Sequence, residues 1–282
     1  MGALRGNALI LGHLAMTLAC LIILAPFVWI LMNSAKQQID IYEGTFHFTP
    51  TRRNYERLLF SKQSNFIRNV RNSTLVATTS TLAVMAVGTL TAYALTRYRW
   101  GRRFRVGAWL KAALLGWILI FHMIPAITLV GPWYLIFREL GLYNNLLGLV
   151  LTHVTLNLPM AIWLMMSFIQ DVPPELEDAA WIDGCRRVGA FLRVILPLIV
   201  PGLVATGVLS FIFSWNEFSV ALNLTASPTA TIPVAISNFA QQYEVQYGEM
   251  AAGTVLATVP AILLMFAGQR FIVRGLMLGA LK

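Results

Sequence analysis

Residues 170–201 read Gln-Asp-Val-Pro-Pro-Glu-Leu-Glu-Asp-Ala-Ala-Trp-Ile-Asp-Gly-Cys-Arg-Arg-Val-Gly-Ala-Phe-Leu-Arg-Val-Ile-Leu-Pro-Leu-Ile-Val-Pro. Acids at Glu175, Glu177, Asp178 and Asp183 are interleaved with the small residues Ala179, Ala180 and Gly184. The chemistry this offers is recognition. Carboxylates at Glu177, Asp178 and Asp183 can pair with basic groups around a cleft on another protein, and the small residues permit close backbone approach. A helix of the same make-up with no partner would lie as an amphipathic element at a membrane surface, and the residues alone leave both readings open. Pro173 and Pro174 suit a first helical turn, the acids complement the positive end of the helix dipole, and Gly184 suits the stop. A short helix is therefore predicted over about 174–183. A second, over about 186–194, leads into an apolar run at Pro197.

Nothing in the sequence points to catalysis. No G-x-x-x-x-G-K-[ST] occurs; Gly184 and Gly189 have the right separation, but Ala190-Phe191 follows where Lys-Ser would be needed to hold a phosphate. H-E-x-x-H, G-x-S-x-G and S-x-x-K patterns are also missing. His13, His47, His122 and His153 have no metal-ligand spacing, and no metal site is expected. Cys20 and Cys185 fall in an apolar run and a charged loop, so no disulfide is expected. Thr17-Leu18-Ala19-Cys20 weakly resembles a lipoprotein cleavage box, but the run stays apolar through Met32 and reads as an uncleaved span.

The elements that must position residues 170–201 follow from composition. Of 282 residues, 57% are hydrophobic and 12% charged. Soluble domains are about 25% charged, so too little polar surface is left to cover a water-soluble particle, and a multi-span membrane protein remains. Six windows are predicted to span: 6–35, 72–96, 112–137 (starting near 106), 140–170 (apolar over 146–169), 194–216 and 250–269. Residues 218–243 are also uncharged, but Pro228, Pro233 and several Thr, Asn and Gln mark a loop that dips toward the membrane. The net charge of +9 is split among short loops rather than forming one face, which suits membrane orientation and not nucleic-acid binding. The dense cluster Arg97, Arg99, Arg102, Arg103 and Arg105 places that loop, residues 170–193 and both termini in the cytoplasm, although residues 36–71 are themselves basic. The expected divisions are an N-terminal span and outer segment (1–67), a core (68–274) and a tail (275–282).

Polar residues also fall within the spans. At about 1.5 Å per residue over a core about 30 Å thick, His122, His153, Asn157, Asn216 and Glu217 lie in the middle or outer half. Such groups face the bundle interior or a cavity. With Trp215, and with Trp133 and Trp163 as further stacking faces, they are candidates to line a path for a hydroxyl-rich solute. The competing reading is interhelical hydrogen bonding and interface anchoring.

Asp178-Ala179-Ala180, Asp183-Gly184, Phe191 and Leu196-Pro197 resemble the EAA signature of permease subunits in bacterial ABC importers. Asp178 stands in place of the signature Glu, and Cys185 where Ala is common. The wording of 173–184, together with Phe137-Arg-Glu-Leu-Gly-Leu-Tyr-Asn144, Ser214-Trp-Asn-Glu-Phe218 and the tail from Arg270 to Lys282, resembles the carbohydrate branch, the maltose-type second permease. The resemblance covers roughly residue 68 to the end. It implies an all-helical type I importer permease fold in the bacterial inner membrane, with the 174–183 helix docking in a groove of a nucleotide-binding subunit. ATP and Mg would be held by that separate ATPase, and this chain would carry no cofactor. It further implies a second permease chain, two ATPase copies and a periplasmic or extracellular solute-binding protein. Alternating access would be driven through the helix, and residues 219–248 would reach into the binding protein's sugar cleft. It also implies that the other permease chain makes most sugar contacts. A non-sugar importer and a multi-span membrane enzyme are the alternatives.

Overall fold

A computed structural model describes residues 2–98, 105–240 and 245–280. Arg99, Arg102, Arg103, Glu244, the end of the tail at Lys282 and the side chains of Arg105 and Arg274 lie outside the described part of the chain. Among the described residues there is no strand, and Ala240 and Val245 form an isolated antiparallel bridge. Four helices are long and apolar enough to cross a membrane: Ala8–Ser34, Phe66–Arg97, Leu146–Gln170 and Tyr247–Phe271. Two bent pairs bring the number to six if each is one span.

Those two bends depart from the straight windows expected over 112–137 and 194–216. The first pair, Gly107–Met123 and Ala126–Glu139, is bent by 99°. Pro125 stands at the break in a β conformation; it has no N–H, and it disfavours the helical conformation at Ile124 before it. The second, Arg187–Leu198 and Val200–Asn216, is bent by 75° around Ile199. There Pro201 withholds a hydrogen bond from the carbonyl four residues back. A single apolar window therefore holds two helices at each place.

In chain order the helices are α1 (Gly2–Ser34), α2 (Gln38–Tyr42), α3 (Arg53–Phe60), α4 (Phe66–Arg97), α5 (Arg105–Met123), α6 (Val130–Glu139), α7 (Leu146–Gln170), α8 (Glu175–Ile182), α9 (Arg187–Ala190), α10 (Leu196–Leu198), α11 (Val200–Asn216), α12 (Ser219–Leu224), α13 (Ile232–Ser237) and α14 (Tyr247–Ala280). A π-turn, Phe191–Ile195, joins α9 to α10.

The chain forms two compact units. One is Met1–Ile67 with Ala235–Val259, so the second of these stretches groups with the N-terminal segment rather than with the core expected over 68–274. Within it the Lys36 ammonium is buried, with no carboxylate paired to it among the described residues. It donates to the Thr45 carbonyl at 2.6 Å and stands 5.0 Å from the Phe48 ring and 5.3 Å from the Trp29 ring. Arg57 and Glu249 pair at 2.7 Å.

The other unit is Arg68–Val234 with Pro260–Lys282. Its larger core joins Ala92 and Leu95 of α4, Ile118 of α5, Ile162, Met165 and Ile169 of α7, and Phe191, Ile195 and Ile199 beyond α9. A second core packs Val76, Val130, Phe137 and Leu149 against Val220, Ala221 and Leu224 of α12. The uncharged stretch read as a loop thus carries two short helices, α12 and α13, neither long enough to span. The turn between them is pinned by side chains of α4. Asn69 and Asn72 donate to the Ala230 carbonyl at 2.8 and 3.0 Å, and the Ser73 hydroxyl accepts from the Ile232 N–H at 2.8 Å.

Candidate coupling surface and buried polar cluster

Helix α8 forms where the sequence places it. Pro174 precedes it, and Glu175, Glu177 and Asp178 fill its first turn. It ends in a Schellman arrangement: the Cys185 N–H donates to the Ala180 carbonyl at 2.9 Å and the Gly184 N–H to the Trp181 carbonyl at 3.0 Å. Gly184 adopts φ +85°, a left-handed conformation that costs a side-chain-bearing residue about 1–2 kcal/mol. Nothing lies within 4 Å of a Cβ built there, so within this chain the glycine serves the turn rather than a tight fit.

The two faces of α8 differ in kind. Glu177 and Ala180, three residues apart, are buried against the chain's own core. Glu175, Asp178, Ala179, Ile182 and Asp183 are exposed, and their spacing puts them on one side. Ile182 is 86% exposed, with Trp181 at 44% and Leu176 at 42% beside it. The outward side of α8 is thus an apolar patch rimmed by carboxylates, beside exposed Val188.

Two of the expected docking residues are buried within the chain. Glu177 is spent inside the chain. Its carboxylate stands 2.8 Å from the Arg97 guanidinium, and the Tyr93 hydroxyl donates to its other oxygen. Ala180 packs inward, which leaves Asp178, Ala179, Asp183 and Gly184 of the expected set on and beside α8 exposed. Leu196 and Pro197 lie beyond the π-turn and off α8: Leu196 packs against the larger core, and Pro197, in the first turn of α10, is exposed.

Arg97 was read from sequence as one more loop charge, and Tyr93 was not singled out. They stand four residues apart, and so on one face of α4. The Arg97 guanidinium also donates to the Ile169 carbonyl at 3.0 Å and to the Val172 carbonyl. Carbonyls in the last turn of a helix lack partners within it and favour a cation, so Arg97 caps α7 while it holds Glu177. The Tyr93 ring meets that of Phe191 at 4.7 Å.

Toward the other end of α7 and α11 lies a polar cluster. His153 Nδ1 is hydrogen-bonded to the Ser214 hydroxyl at 2.5 Å, and Ser214 to Ser80 at 3.0 Å. His153 Nε2 stands 3.5 Å from the Glu217 carboxylate, which accepts the Val220 and Ala221 N–H groups at 2.8 and 3.0 Å and so caps α12. Asn157 donates to the His153 carbonyl at 2.9 Å. Trp215 is buried and stacks on Phe211 at 5.6 Å. Of the six candidates to line a solute path, His153, Asn157, Trp215 and the Glu217 carboxylate are thus buried within the chain, and His153 and Glu217 link α7 to α11 and α12. His122, in the last turn of α5, and Asn216 are exposed. Ser80 and Ser214 complete the cluster; they were missed because a serine in an apolar window carries no distinct signal. Ser214→Ala strips His153 and Ser80 of a partner. It is expected to cost about 1–3 kcal/mol, read as a lowered unfolding temperature in lipid nanodiscs with solute affinity unchanged. A loss of solute affinity at unchanged stability would return the cluster to the path.

Residues 85–277 match the family described as binding-protein-dependent transport system inner membrane component. The chain is 37% identical over 264 residues to the trehalose transport system permease protein SugB of Mycobacterium tuberculosis, covering 92% of each chain. It is 32% identical over 282 residues to the trehalose/maltose transport system permease protein MalG of Thermococcus litoralis, covering 99% of this chain and 98% of that one. It is 34% identical to the sulfoquinovosyl glycerol transport system permease protein SmoH of Agrobacterium fabrum, covering 92% and 89%. Its fold is similar to a chain in the crystal structure of a bacterial ABC transporter that imports alginate, with a TM-score of 0.73, 20% identity and 93% and 95% coverage. The chain belongs to the inner-membrane permease components of binding-protein-dependent ABC importers, a family of transport subunits rather than enzymes.

Proposed function

We propose that this chain forms half of the translocation path for a sugar or related polyhydroxy solute, and that α8 is the joint through which a separate ATPase drives it. The observation that carries the joint is the outward face of α8, where Ile182 stands exposed between Asp178 and Asp183. A groove with an apolar floor and basic walls fits that face. Nucleotide and Mg belong to the partner ATPase. The working unit holds a second permease chain, two ATPase copies and an external solute-binding protein, with both termini and α8 on the cytoplasmic side. The sugar assignment is supported by the relatives named for trehalose, maltose and sulfoquinovosyl glycerol transport. Closure of the ATPase pair displaces α8, and the packed spans rock as bodies between inward- and outward-open states.

The solute class is tested by equilibrium binding of the partner binding protein to a panel of di- and oligosaccharides, amino acids and short peptides, followed by uptake into proteoliposomes holding the whole importer. Saturable saccharide binding and ATP-dependent uptake are expected. Binding and uptake confined to an amino acid or peptide would overturn the sugar assignment.

A further inference from the structure

We propose that Arg97 is a positioning residue that braces α8 to the ends of α4 and α7, so that displacement of α8 is transmitted to the spans instead of being absorbed by the loop. This rests on the reading of α8 as the docking element.

The brace closes three segments at one point. Arg97 belongs to the last turn of α4, Ile169 and Val172 supply carbonyls at the end of α7, and Glu177 lies in the first turn of α8. Residues 171–174 between α7 and α8 form a short connection that could hinge. The brace spans it. Its side chains are withdrawn from water, Arg97 at 14% and Glu177 at 4% exposure. Anchoring alone does not call for a charge pair, because Ala180, Val172 and Phe191 already bury apolar surface there. A buried ion pair contributes little net stability against an apolar replacement. What it adds is direction. The planar guanidinium fork meets the three groups on different nitrogens, Nη2 donating to both carbonyls and Nε standing 2.8 Å from the carboxylate, an arrangement that an ammonium cannot reproduce. The Tyr93 hydroxyl orients the second carboxylate oxygen.

Arg97→Lys keeps the charge and loses the fork, and Glu177→Gln keeps the shape and loses the charge. Each is placed in the complete importer in proteoliposomes and read by two quantities: the ATPase retained on purification, and the solute imported per ATP hydrolysed. Both variants are expected to retain the ATPase while solute per ATP falls about tenfold. Tyr93→Phe, which removes one hydroxyl, gives a smaller fall in the same ratio and stands in if either variant fails to reach the membrane. An unchanged ratio in the variants that assemble overturns the brace and leaves α8 as the docking element. Loss of the ATPase from Glu177→Gln also overturns it, since Glu177 would then be a docking contact. An unmutated chain that retains no ATPase removes the docking reading itself, and the brace with it.

Discussion

Gly184→Val is expected to abolish solute uptake while the chain still inserts and folds. Valine at φ +85° is strained by at least the roughly 1–2 kcal/mol of an ordinary residue, and β-branching makes that conformation harder still. The strain is relieved by opening the Schellman turn, which frees the Ala180 and Trp181 carbonyls and turns Asp183 and Ile182 away from their present direction. The spans should feel little of this, because a Cβ at 184 meets nothing within 4 Å. ATPase co-purification and uptake should therefore both collapse, while membrane yield and unfolding temperature stay near those of the parent chain. Full ATPase association in the variant would contradict the role given to α8.

The second large effect is expected from Ile182→Asp. At 86% exposure the isoleucine does almost nothing for the fold of this chain. Burying such a side chain in a partner groove yields about 1.5–3 kcal/mol. A carboxylate in its place forfeits that and adds the cost of an unpaired buried charge. ATPase affinity should fall by about a hundredfold or more, measured by titrating the purified ATPase against permease in nanodiscs. Asp178→Asn tests the rim of the same face and is expected to fall by less than tenfold, because rim charges govern encounter more than affinity.

How much of this was legible in the sequence depends on the kind of signal. The ends of α8 were written in Pro173-Pro174, three acids and a glycine, each acting within one turn. The spans were visible as windows without charge. The bends were not, because Pro125 and Pro201 inside apolar runs indicate a kink without fixing its angle. The direction of Glu177 was also hidden. A carboxylate in a solvent-side loop reads as a ligand for something external, and its burial depends on Arg97, eighty residues earlier in the chain. His153, Asn157 and Glu217 announced themselves as polar groups in apolar windows. Whether they faced a path or one another depended on helix rotation, which the cores around Leu149 and Val220 set. Asn216, next to Glu217 in sequence, faces outward for the same reason.

The account stands on α8 being a cytoplasmic joint for the ATPase, and one thiol placed on its outer face tests that most directly. Ile182→Cys, in a chain with Cys20 and Cys185 replaced by serine, is expected to cross-link to the nucleotide-binding subunit in intact membranes and to resist a membrane-impermeant thiol reagent added outside the cell. Labelling from outside, or no cross-link to that subunit at any position of its groove, would contradict the account.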